Sequence, residues 1–166
     1  APSLEKHDGP VFAGQYIASD PAIVTEPGFY RLFYTCFIVP GGEFIPENVR
    51  AGICSAISTD GLNWIEVDSG DPDTPGLVLR GIEDSWQENL EASFVIYIDG
   101  AYLLYYSGYE TEGDPAMGYP AKLSVASSTD GIRFERVTED PILEPTPGWY
   151  DNDAVYSPAI AISGDQ

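Results

Sequence analysis

Cations are scarce in this chain. Of 166 residues only 7 are Lys or Arg, against 27 Asp or Glu, for a net charge of −20. A surface of that sign repels phosphate, so nucleic acid and anionic membranes are set aside as partners. Most of this charge reads as a solubilising surface, as in a marine or salt-adapted protein; a cation site or neutral-sugar cleft is the sharper alternative. No run of about eighteen apolar residues occurs, which leaves no candidate for a membrane-spanning helix. Histidine occurs once, at His7, and no paired-cysteine motif exists, so a catalytic zinc centre is excluded. Glycine-rich phosphate loops and a serine–histidine nucleophile are missing as well. Cysteine occurs twice, at Cys36 and Cys54, on what read as neighbouring strands. They are either a cross-hairpin disulfide in an oxidising compartment or two buried thiols. A first residue Ala1 with no signal-type stretch suits a processed secreted or periplasmic protein, or a trimmed chain.

What the chain has in plenty is turns and rings. Helical periodicity is hard to find, whereas 17 Gly and 14 Pro separate short apolar runs rich in aromatics, with 11 Tyr, 7 Phe and 3 Trp. That profile predicts one all-β domain, long enough to bury a sizeable core. The chain also repeats itself. STDGLNW at 58–64 returns as STDGIRF at 128–134, and EPGFYRLFYT at 26–35 parallels IDGAYLLYYS at 98–107. LVLRGIEDSW parallels PILEPTPGW, and ASFVIYIDG parallels YSPAIAISGD. Each unit is an apolar strand, a tight glycine turn, an aromatic alternating strand, a long loop, a third strand, an Asp-Gly turn and a short fourth strand. Asp60-Gly61 and Asp130-Gly131 provide the positive φ angles of tight hairpins, with Trp64 and Phe134 placed to cover them. Four antiparallel strands repeated at this spacing describe propeller blades.

The order of strand, FYT or YYS strand, then A-x-S-T-D-G-x-x-[WF] resembles the five-bladed propeller superfamily of glycosidases. That group holds arabinanases, levansucrases, invertase-like fructosidases and the enzymes of glycoside hydrolase families 43 and 32. The resemblance runs from Ser19 onward. It implies blade one at about 20–68, blade two at about 92–137, and the start of blade three at 157–166. This is about two and a half blades of a five-bladed propeller. A ring cannot close from these blades alone, so either a second copy in a homodimer or a missing chain completes it.

Blade geometry sorts the loops. The short turns Pro27-Gly28, Asp99-Gly100, Asp60-Gly61 and Asp130-Gly131 share one end and read as structural. The opposite end receives the long loops VPGGEFIPENVR, YETEGDPAMGYP, DSGDPDTPGLVLRGIEDSWQENLE and EPTPGWYDNDAVY, where binding is expected. On that end Asp20, followed by Pro21, matches the Asp-Pro at the first inner strand of the resembling enzymes. There it is the general base for inversion or the nucleophile for retention; two facing carboxyls are required. Its plainer role is to cap the start of a strand. Blade two offers Ser93 and Phe94 in the matching slot, and blade three has Tyr156 where the family's acid stands, two residues before Pro158. Glu91 and Asp153 are the provisional substitutes for that acid, each otherwise a solvated loop residue. Trp86, Trp149, Tyr109 and Tyr150 are candidate sugar platforms. The parallel placement of the two Trp favours packing between blades for that pair. Asp151-Asn152-Asp153 and Asp71-Pro72-Asp73 offer oxygens of the kind Ca²⁺ takes without forming a complete loop. No cofactor is required by this reading, and a structural Ca²⁺ stays open.

Two functions follow. One is a glycoside-hydrolase-like propeller acting on or binding polysaccharide. The other is a non-catalytic carbohydrate-binding or assembly module on a truncated propeller.

Overall fold

The computed structural model describes residues 8–110 and 120–163; His7 and most of the loop YETEGDPAMGYP lie outside them. Two antiparallel sheets are built in sequence order. The first comprises β1 (Ser19–Glu26), β2 (Phe29–Ile38), β3 (Arg50–Ser58) and β4 (Ile65–Glu66), with β5 (Leu77–Leu79) also on β3. The second comprises β6 (Asn89–Ile98), β7 (Ala101–Tyr109), β8 (Lys122–Ser128) and β9 (Glu135–Arg136). These are the four-stranded blades that the repeat predicts. The 3₁₀ turns Pro40–Gly42 and Pro46–Asn48 link β2 to β3. No helix among the described residues is long and apolar enough to cross a membrane.

The outer edge of each blade is split, which the repeat alone does not reveal. In blade one β4 pairs with Ala56 and Ile57, and β5 then pairs with Ile53 and Cys54 further along the same strand. Blade two repeats this: β9 pairs with Ala126 and Ser127, while Leu143 bridges to Leu123. The segments LVLRG and PILEP therefore finish an edge that the two-residue fourth strands leave half open. Residues 157–163, expected to start blade three, form no strand ladder.

The core lies between the blades. Alternation along β2 sends Phe33 towards blade two, and alternation along β7 sends Tyr102, Leu104 and Tyr106 back to meet it, with Val24, Ile53, Leu90 and Val95 closing the cluster. The other face of blade one buries Leu32, Tyr34, Cys36, Ile38 and Cys54 against Phe12 and Trp64. Phe12 meets Tyr34 edge-on at 4.9 Å between centroids. Within this layer Cys36 and Cys54 form a disulfide, which resolves the two readings of the cysteines.

The repeated turns are alike inside and different outside. Asp60 Oδ1 accepts from the Leu62 and Asn63 amides, and Asp130 Oδ1 from those of Ile132 and Arg133. Ser58 and Ser128 each accept from the glycine amide. In both turns these donors hold the aspartate below the ordinary carboxylate range, Asp130 at about 2. Trp64 covers its own turn, donating Nε1 to the Gly61 carbonyl at 3.1 Å. Phe134 instead packs edge-on to Phe33 of blade one, 5.7 Å away. The blade-two turn is also the seat of Arg31, a buried arginine from blade one. Arg31 pairs with Glu26 at 2.9 Å, stacks 5.3 Å from the Tyr102 ring and donates to the Gly131 carbonyl.

Candidate functional site

The end opposite these turns is organised by one backbone feature used three times. Asp20, Ala92 and Ser157 are non-glycine residues with φ of 51°, 49° and 56°. The first two interrupt the ladders of their inner strands, where the register slips between Ser19 and Ala22 and between Glu91 and Phe94. Left-handed backbone at such residues is uncommon and costs on the order of 1 kcal/mol or more, so the surroundings must hold it. A hydroxyl from the preceding blade does so. Thr35 Oγ1 accepts from the Ala92 amide at 3.2 Å, and Ser107 Oγ accepts from the Ser157 amide at 3.1 Å. Ser19 and Glu91 pair with these same residues, Thr35 and Ser107, in their ladders.

That register corrects the slot assignment. Asp20 corresponds to Ala92, not Ser93, and Glu91 corresponds to Ser19. The ladder skips two residues in each inner strand, 20–21 and 92–93, so the two bends match residue for residue. Of these three equivalent positions, Asp20 alone carries a carboxylate; the other left-handed non-glycine residues, Asp84 and Asp99, lie elsewhere in the chain. Its Oδ2 accepts from Thr35 Oγ1 at 2.9 Å and from Ser19 Oγ at 3.1 Å. Its Oδ1 has no protein partner among the described residues. Thr35, itself buried, thereby ties the Asp20 carboxylate to the bend that begins blade two.

Glu91 is held from two sides. Tyr109, at the end of β7, donates to Oε1, and Tyr156, from the segment beyond blade two, donates to Oε2, each at 2.5 Å. Burial, this hydrogen bond and the negative charges of Glu91 and Asp20 push the Tyr156 phenol well above the usual tyrosine range. Tyr156 therefore keeps its proton and senses both carboxylates. With both oxygens accepting, Glu91 is arranged to orient its neighbours.

The structure brings Asp20, Glu91, Tyr109 and Tyr156 together, and the other candidates lie outside this hydrogen-bonded group. Trp86 is half-buried against blade two, where a Cβ added to Gly108 would lie 3.0 Å from its ring. Trp149 is 63% exposed and Tyr150 92% exposed, with ring centroids 5.8 Å apart. Trp86 thus lies against β7 of blade two, while its repeat partner Trp149 is exposed. Asp153 is exposed and accepts from Asn152 Nδ2 at 3.0 Å. Among the described residues no group of three or more His, Cys, Asp or Glu is placed to hold a metal ion. Asp71 Oδ2 takes Arg80, and its Oδ1 takes the Asp73 and Thr74 amides. Thr35, Ser107 and Tyr156 were missed as functional positions. The signal for the first two was present, because a hydroxyl residue follows the paired aromatics both times, in FYT and YYS.

No protein-family model matches the chain, and no curated protein does. Solved structures do. A family 117 glycoside hydrolase from the marine bacterium Zobellia galactanivorans superposes with a TM-score of 0.65 at 20% identity, covering 85% of this chain and 43% of its own. An N-acetylgalactosamine deacetylase from F. plautii, solved with blood group B trisaccharide, gives 0.60 at 21% identity, covering 86% and 35%. A Bombyx mori family 32 β-fructofuranosidase gives 0.55 at 14% identity, covering 74% and 23%. The chain spans less than half the length of each. At these identities the likeness is one of fold, a propeller of which this chain carries about half.

Proposed function

We propose that the Asp20 end is a carbohydrate site and that the chain is part of a glycoside-hydrolase-like propeller. One observation carries the reading: Asp20 is the single carboxylate on the three equivalent left-handed bends, fixed through Oδ2 by Thr35 and Ser19 with Oδ1 open. A carboxylate fixed on one oxygen and open on the other suits a general base or nucleophile at an anomeric carbon. Glu91 and Asp153 remain the partner acids of this proposal in different capacities. Glu91 positions the two tyrosines, and the exposed Asp153 is the carboxyl free to approach a leaving group. Trp149 and Tyr150 offer aromatic faces to sugar rings. Further blades, from a second copy or a further chain, complete the ring around the site. The disulfide favours a secreted or periplasmic setting.

The test is release of reducing sugar from arabinan, xylan, fructan and galactan, with Asp20→Asn as control. Release abolished by the substitution supports the hydrolase; no release from any substrate, at any assembly state, defeats it. One observation favours the second reading, a non-catalytic binding module: a phenol, Tyr156, stands in the third blade where the acid is expected. Binding without turnover, weakened by Tyr150→Ala, would support that module.

A further inference from the structure

We infer that Thr35 is a positioning residue for Asp20: its hydroxyl fixes which carboxylate oxygen faces a ligand and which oxygen takes a proton. The inference rests on the carbohydrate reading above and names the residue through which blade two sets the geometry of that site.

A threonine hydroxyl has one proton to donate and lone pairs with which to accept. The Ala92 amide can only donate, and it points at Thr35 Oγ1 from 3.2 Å. The single hydroxyl proton therefore goes to the remaining partner, Asp20 Oδ2, at 2.9 Å. This direction cannot reverse, because a backbone amide does not accept. Thr35 is 1% exposed, so water cannot stand in for either partner, and its β-branched side chain is stiff at χ1.

Oδ2 is in consequence an acceptor in every state of the site. Ser19 Oγ, on a half-buried residue, adds a second donor to the same oxygen at 3.1 Å. A proton that Asp20 removes from a water or a sugar hydroxyl then has one oxygen left to occupy. That oxygen is Oδ1, which has no protein partner among the described residues.

The repeat supplies an internal comparison. Ser107 stands in blade two where Thr35 stands in blade one, and it accepts from the Ser157 amide at 3.1 Å as Thr35 accepts from that of Ala92. Holding the next left-handed bend is thus common to both hydroxyls. Thr35 has a carboxylate at the bend of its own blade, whereas Ser107 has Ala92 there. The bond to Asp20 is not needed to hold a bend, since Ser107 holds one with alanine in that place.

The test compares the parent with Thr35→Val, Thr35→Ala, Thr35→Ser and Ser107→Ala. Thr35→Ala is measured beside Thr35→Val so that a valine that fails to pack does not decide the result. The first readout is the carboxyl carbon resonance of Asp20 by NMR. It should move in Thr35→Val and Thr35→Ala and stay near the parent in Thr35→Ser. It should also stay in Ser107→Ala, which frees a bend without touching Asp20. The second readout is hydrolysis of arabinan, xylan, fructan and galactan. On a polymer that is cleaved, kcat should fall on the order of 10–100-fold in Thr35→Val with KM within about twofold, and Thr35→Ser should recover most of it. An Asp20 resonance unmoved in Thr35→Val, or moved as far by Ser107→Ala, would overturn the inference whatever the polymers do. So would a kcat loss that Thr35→Ser does not recover. Cleavage of no polymer, with the Asp20 resonance responding as expected, would defeat the carbohydrate reading and leave the orientation of Asp20 by Thr35 standing.

Discussion

Replacing Gly61 and Gly131 by alanine, one at a time, measures how much the blade-two turn contributes to holding the two blades together. The two glycines occupy the same place in the same motif, with φ of 73° and 70°. Alanine at either position is forced into left-handed backbone, at a cost of about 1–2 kcal/mol. Their surroundings differ. A Cβ on Gly61 meets only a Tyr30 ring carbon at 4.0 Å, ordinary contact. A Cβ on Gly131 would sit 2.9 Å from the Arg31 guanidinium and 3.0 Å from the Tyr102 ring. Arg31 has little room to retreat, being held by Glu26 and stacked on Tyr102 and Phe29. Overpacking of that kind adds about 1–3 kcal/mol. Gly61→Ala should therefore cost about 1–2 kcal/mol and Gly131→Ala about 2–5 kcal/mol, the difference being the contact between blades. The assay is equilibrium unfolding in urea with the midpoint and slope compared across the three proteins. Equal losses in the two variants would refute the claim that the blade-two turn is a seat for Arg31.

Three further outcomes are expected. Reduction of Cys36–Cys54, or Cys36→Ser with Cys54→Ser, should lower stability by about 3 kcal/mol, as for a closed loop of this size, and an unchanged urea midpoint with reductant would contradict it. Asp130 is held at about 2, so its folded pKa lies below its unfolded value; its stabilising contribution is complete above pH about 4 and is lost as pH falls towards 2. Acid unfolding followed by circular dichroism should accordingly be shallower over that window in Asp130→Asn than in the parent, and superimposable curves would count against it. Thr35→Val strands the buried Ala92 amide and releases the Asp20 carboxylate, for a loss of about 1–3 kcal/mol; Thr35→Ser should restore most of it, and an equal loss in Thr35→Ser would show that packing, not the hydroxyl, matters.

Much of the architecture is written in local signals. Alternating aromatics in FYRLFYT and AYLLYYS mark strands, buried on both faces in β2 and alternately buried and half-buried in β7, and STDG marks a turn whose Ser and Asp satisfy its own amides. Hence the blades, the strand order and the two ends of the sheets were legible from the repeat. The positions around Asp20 were less so, because they depend on a bulge. A residue that steps out of a ladder leaves no mark in an alternation pattern, so the left-handed bend itself was not foreseen, and Asp20 was matched to Ser93, one place beyond Ala92. The split outer edge was missed for a related reason: three residues, Leu77–Leu79, are too short to show a period. Long-range side-chain pairs are the least visible. Nothing near Tyr156 in sequence announces Glu91, which lies 65 residues away and is reached only when the segment beyond blade two lies against it. The cysteines were ambiguous because spacing alone does not say whether two strand residues are close enough to bond; their Cα atoms are 5.8 Å apart.

The central claim is that ligands meet the Asp20 end and not the end of the Asp-Gly turns. Amide chemical-shift mapping with neutral arabino-, xylo-, fructo- and galacto-oligosaccharides tests it most directly. Shifts should cluster at Asp20, Ala92, Tyr156 and Ser157 and be lost in Asp20→Asn. Shifts centred on Gly61 and Gly131, or none with any oligosaccharide, would contradict it.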